Sequence, residues 1–275
     1  MLNLDWSKTK SIFIGVFLIL NIFLYSQYLN SYSEAQKVGV LGEKTIEPRL
    51  KEDNITYVTL PSNIETASYI SGKVKNFHST ELPYFTNQNA EIENESKLIV
   101  KLNNPIKLKS LGDKESFTEF LHMYVYEGAS YALWSVDKEK REAIFFQHVN
   151  DRTLFYNVSG FVKIYWNLDE EVYMYEQTML EKLEELEQQE NIFEPIQIIQ
   201  VLYAENLLKA DSRITSMKLG YSTLVQLTQT QVFAPTWEVR VHTKDGEVEE
   251  YFVNAVEGKV IDIQLDLKKV DEVDE

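Results

Sequence analysis

The chain has no cysteine and four histidines, His78, His122, His148 and His242. Disulfides, thiolate metal sites and a cysteine nucleophile are therefore absent. The histidines are too far apart in sequence for an H-E-x-x-H or similar spacing, which sets two imidazoles on successive turns of one helix. No G-x-S-x-G elbow, P-loop or G-x-G-x-x-G run occurs. Ten glycines in 275 residues leave little backbone able to cradle a phosphate. Carboxylate neighbours such as Glu170-Glu171 and Glu249-Glu250 are the residue type of a hydrolytic acid and base, but among 43 acidic residues adjacency says almost nothing. The reading is no enzyme, no catalytic residue, no cofactor and no metal.

The polar residues in the most unusual setting lie near the N-terminus. Ser11–Leu29 carries no charge and is long enough, at about 1.5 Å per helical residue, to cross a hydrocarbon core of about 30 Å. Asn21 stands near its middle, where a side-chain amide is costly unless it finds a partner on another helix. Ser11 and Gly15 make a small-xxx-small step that permits close backbone approach. Ser11, Gly15 and Asn21 are therefore the candidate membrane-contact residues. Six positions separate Gly15 from Asn21, so the two lie about 240° apart round an ideal helix and suit two partners better than one.

Lys8 and Lys10 precede the span and the next charge is Glu34. The excess of positive charge keeps residues 1–10 in the cytoplasm and sends the rest across. A cleaved signal peptide is the alternative, with Ser31-Tyr32-Ser33 as its cleavage site, but the apolar run exceeds the usual signal core of about 7–15 residues. Setting aside Asp5, Lys8 and Lys10 leaves 42 acidic and 25 basic residues, a net charge of −17. Such an exterior repels nucleic acid and anionic polymers.

The elements that follow are α+β in pattern. Residues 30–110 read as a juxtamembrane and N-terminal segment with strands at 55–60, 68–77 and 98–102. Phe117, Phe120, Leu121, Tyr124 and Val125 fall at i, i+3, i+4, i+7 and i+8, one face of a helix capped by Asp113. Strands follow at 130–136, 142–149, 160–167 and 171–179. The order then repeats: a helix opening at Pro195 with a stripe of Ile196, Ile199, Tyr203 and Leu207, then strands at 213–224, 236–243, 248–254 and 259–267. Trp237, Val239 and Val241 alternate with Glu238, Arg240 and His242, which predicts a half-buried sheet with the second set on its wet face. His122 and His242 are accordingly expected at the surface.

The layout is two lobes, each a helix laid on an antiparallel sheet, at 111–190 and 191–267, then an acidic tail at 268–275. The acidic run Leu180–Asn191 is expected to link the lobes as a solvated helix or long hairpin tip.

Asp5-Trp6-Ser7-Lys8-Thr9-Lys10, followed by Ser11-Ile12-Phe13-Ile14 and Val16-Phe17-Leu18-Ile19-Leu20-Asn21, resembles the opening of the YycI (WalI) family of Gram-positive regulatory membrane proteins. Pro235-Thr236-Trp237-Glu238-Val239, Tyr251-Phe252-Val253-Asn254-Ala255 and Gly258-Lys259-Val260-Ile261 resemble a PepSY-like module. The first resemblance implies a regulator that works with a YycH-like companion on the sensor histidine kinase of the YycG (WalK) type, which controls cell-wall metabolism. It further implies contact through the membrane helix, a single-pass location in the cell membrane with an extracytoplasmic C-terminal region, and no catalytic residues. Self-association of the chain stays open. The alternative is a membrane-tethered PepSY-like module that binds or inhibits, its anchor serving only as a tether.

Overall fold

A computed structural model describes residues 10, 12–27, 46–62, 65–78, 88–111, 113–223 and 229–263, and in it the alternating segments pair into two antiparallel sheets with helices laid against them. The first sheet runs β3 (Gln88–Glu93), β4 (Lys97–Lys107), β9 (Glu171–Thr178), β8 (Phe161–Trp166), β6 (Glu142–Val149), β5 (Tyr131–Asp137), with β7 (Arg152–Thr153) on β6. Helix α3 (Lys114–Tyr124) lies on it. Asp113 caps this helix, its carboxylate accepting from the Glu115 amide at 3.0 Å, and satisfies one of the donors that every helix start leaves free. Phe117, Phe120 and Leu121 are buried against Phe145, Val162, Ile164 and Tyr175, as the helical spacing predicts.

The second sheet runs β1 (Thr56–Tyr57), β11 (Arg213–Thr223), β12 (Thr230–His242), β13 (Val248–Asn254), β14 (Val260–Ile261). Strand β12 changes neighbour partway along. Thr230–Phe233 pair with β2 (Thr66–Val74), and Thr236–His242 pair with β13. Pro235, which has no N–H to give to a ladder, stands at the change. Helices α2 (Glu47–Glu52) and α4 (Pro195–Ala204) cover one face, and Leu50, Ile198, Ile199 and Leu202 pack on Trp237, Val239 and Val241. The buried stripe of α4 is thus Ile198, Ile199, Val201 and Leu202; of the expected stripe only Ile199 is buried, while Ile196, Tyr203 and Leu207 flank the core.

Two expectations about the layout of the chain also change. Leu180–Asn191 is neither helix nor hairpin tip but strand β10, antiparallel to β2 from Leu180↔Val74 to Asn191↔Thr66 with two register shifts. Its Glu, Leu, Lys and Gln content favours helix intrinsically, and pairing with a strand over a hundred residues away overrides that preference. The segment 30–110 also does not stand apart from the lobes: β2 belongs to one sheet and β3 and β4 to the other.

No flexible connector joins the sheets at this point. Strand β9 ends at Thr178 and β10 begins at Leu180, so Met179 alone separates them. The buried Gln147 side chain clamps the crossing, donating to the Leu180 carbonyl at 2.8 Å and accepting from its amide at 2.9 Å. Ile70, Val74, Leu180 and Phe233 share a cluster with Leu154 from the other lobe.

Candidate functional site

The N-terminal helix α1 (residues 12–27) presents every described side chain to its surroundings. Among the described residues no helix is long and apolar enough to cross a membrane. Of the expected span, Ser11, Tyr28 and Leu29 lie outside the described residues. Asn21 donates its side-chain amide to the Phe17 carbonyl one turn back, at 2.8 Å. That bond partly satisfies the amide within its own helix, and the Asn21 carbonyl oxygen remains as an acceptor. Phe13, Ile14, Phe17, Leu18 and Asn21 line one shallow groove. Gly15 falls on another face, and a Cβ there would meet nothing within 4 Å. The structure thus keeps the two described contact candidates on separate faces of the helix, both exposed.

The remaining chemistry converges on the seam between the sheets, which sequence reasoning missed. Residues 153–156, from the end of β7 onward, lie against the open half of β11: Leu154 bridges to Tyr221, and the Phe155 amide donates to the Tyr221 carbonyl at 2.8 Å. Gly220 permits this approach, since a Cβ there would sit 2.4 Å from Phe155 Cζ and 2.5 Å from the Thr153 carbonyl oxygen. Phe155 then stacks with Phe252 of β13 and Trp134 of β5, at ring separations of 5.3 and 5.7 Å. The face of the second sheet expected to be wet is therefore covered here, and Glu238 is fully buried rather than solvated. His242, further along the same strand face, stays exposed, as does His122.

Under that cover Glu238 shares the guanidinium of Arg240 with Glu250. Arg240 Nε is bonded to Glu238 Oε1 and lies 3.1 Å from Glu250 Oε1. The guanidinium sits 4.7 Å from the centre of the Trp134 ring, a cation–π contact strengthened by its partial desolvation. Tyr156 donates to Glu250 Oε2 at 2.9 Å and accepts from Trp134 Nε1 at 3.1 Å. The second oxygen of Glu238 is buried, with no hydrogen-bond partner among the described residues. Burial pushes the Glu238 carboxyl above its ordinary range, against the opposing pull of Arg240 and Lys218. Burial and the nearby Glu250 likewise push the Tyr156 hydroxyl upward.

The adjacent carboxylates Glu249 and Glu250 point to opposite faces of β13, as successive strand residues do. Glu249 meets Lys209 and Tyr251, while Glu250 meets Arg240 and Tyr156. They cannot act as one acid–base pair. Among the described residues no three His, Asp or Glu side chains gather as a metal site. The seam's chemistry is that of a structural junction whose charge is out of balance, two carboxylates to one guanidinium.

Comparison with known proteins gives one family. The model described as YycI protein matches residues 36–256, spanning both sheets. No curated protein matches the chain. Among solved structures, an uncharacterized protein from Eubacterium rectale ATCC 33656 is similar at 11% identity and a TM-score of 0.47, over 77% of this chain and 92% of that one. The Bacillus megaterium YpeB C-terminal domain is similar at 12% identity and a TM-score of 0.43, over 68% of this chain and 96% of that one. Likeness at these scores carries no argument about function.

Proposed function

The chain belongs to the YycI family, membrane-anchored regulators of a two-component system, and on that premise we propose that it regulates its sensor kinase through the N-terminal helix, with the exterior as a rigid body on the outer side. The helix spans the membrane over residues 11–29 with its N-terminus in the cytoplasm, and packs against helices of the YycG (WalK) kinase and of a YycH-like companion. The observation that carries this reading is an apolar helix whose described faces are all unoccupied, with Asn21 on one and Gly15 on another. Any regulatory effect is then a difference in binding free energy between kinase states, set by how well each state fits those faces. Contacts of a single intramembrane amide are worth about 0.6–2 kcal/mol, enough to shift a balanced kinase equilibrium several-fold.

The test replaces Asn21 with Leu and Gly15 with Leu, separately and together, in the full chain. The expected outcome is weaker co-purification of kinase or companion and altered kinase output, with the double variant worst. Unchanged co-purification and output in the double variant would sink the helix-contact mechanism. Exchange of the whole helix for an unrelated span separates this from a merely tethered PepSY-like module, which would keep its function.

A further inference from the structure

We propose that the seam between the sheets is a pH-responsive clamp: Glu238 takes up a proton as the surrounding medium acidifies, and the lobes seat more tightly on each other as a result. The inference rests on the geometry of the seam and not on the kinase partnership.

The charge count carries it. Glu238 and Glu250 reach the seam from neighbouring strands and share one guanidinium, that of Arg240. From β11, Lys218 lies opposite Glu238 in the ladder but is exposed to solvent. From the first lobe, among the described residues, Tyr156, bonded to Glu250, and the uncharged Trp134 and Phe155 face the cluster. With both carboxylates ionised, the covered part of the junction therefore holds an excess negative charge that the solvent-exposed Lys218 only partly offsets, and the one that bears it worst is Glu238. It is fully buried, and its second oxygen has no hydrogen-bond partner among the described residues. An ionised carboxylate oxygen without a partner inside protein is strongly disfavoured. A proton on that oxygen removes the excess and leaves Arg240 balanced by Glu250 alone.

The direction follows from linkage. A carboxyl held above its ordinary range in the folded, docked state binds its proton more tightly there than when the seam is open. Docking is therefore disfavoured at neutral pH and gains as pH falls through the raised value toward the ordinary one. Because residues 153–156 of the first lobe lie directly over β11 and β13, the gain reads out as closure between lobes.

The test is amide hydrogen exchange of the full chain in lipid nanodiscs, followed at the Phe155 amide, which bonds across the seam. After correction for intrinsic exchange, protection at this amide should rise several-fold from pH 7.5 to 5. In Glu238→Gln, which mimics the protonated form, protection should be high at pH 7.5 and nearly flat with pH. His242 remains in that variant, so a response from the histidine would persist there. Glu250→Gln removes the competing carboxylate and should move the response to lower pH. A wild-type protein with no response, a Glu238→Gln protein that keeps the wild-type response, or a Glu250→Gln protein whose response does not move would each overturn the proposal. If Glu238→Gln fails to fold, the wild-type and Glu250→Gln profiles decide alone.

Discussion

Gly220→Ala tests whether the lobes are held together by close backbone approach. The new Cβ would lie 2.4 Å from Phe155 Cζ and 2.5 Å from the Thr153 carbonyl oxygen. Neither neighbour can give easily. The carbonyl is backbone, and Phe155 is pinned between Trp134 and Phe252. Overpacking of this kind costs about 1–3 kcal/mol, and the rigid surroundings place it in the upper half of that range. Replacing a strand glycine by alanine returns about 0.5–1 kcal/mol. The net loss is about 1–2.5 kcal/mol, or a fall in Tm of roughly 2–10 °C at about 2–4 °C per kcal/mol for a domain of this size.

Gly72→Ala is the matched control. Its Cβ would lie 2.7 Å from Leu183 Cδ2, the end of a half-buried side chain on β10 that can rotate away, so the change should stay within about 0.5 kcal/mol of neutral. Thermal unfolding of the full chain in detergent, followed by near-ultraviolet circular dichroism, measures both. Exchange at the Phe155 amide should quicken in Gly220→Ala alone. A Gly220→Ala protein as stable as wild type, or less perturbed than Gly72→Ala, would refute the close-packed seam.

Two further outcomes follow from local geometry. Asp113→Ala removes the cap of α3 and should lower stability by about 0.5–2 kcal/mol, whereas Asp113→Asn should retain most of it; urea unfolding compares them. Lys97 lies 3.1 Å from Glu176 and 3.4 Å from Glu93. Burial opposes its charge, but the bond to Glu176 and the proximity of Glu93 outweigh it and hold its pKa above the ordinary value. Its contribution is therefore complete below that ordinary value and lost as pH rises through the raised one. The stability difference between wild type and Lys97→Met, measured by thermal unfolding, should accordingly narrow between pH 9 and 12.

Legibility from sequence tracked how local the determining interaction is. The face of α3, its Asp113 cap and the strands at 142–149 and 248–254 are set by neighbours within a few residues, and side-chain periodicity reports them directly. The inward set Trp237, Val239 and Val241 was readable for the same reason. Strand β3 left no trace, because Gln88–Glu93 has a polar, half-exposed pattern that alternation does not mark. The seam residues Trp134, Phe155, Tyr156 and Phe252 lie on three separate segments of the chain, and nothing in the periodicity said they would meet.

By itself, the sequence determined the class of the protein: an apolar N-terminal helix with one amide in it, an acidic cysteine-free α+β exterior, and family signatures without catalytic motifs. Tertiary structure alone decided that Leu180–Asn191 is a strand, that β2 joins a sheet made mostly of the last third of the chain, and that Glu238 is buried. Alternation states that a strand has two faces, but not what covers the second one. That depends on contacts such as Phe155 on Gly220 and Trp134 on Arg240, whose partners lie 65 and more residues apart and are brought together only when both sheets have formed.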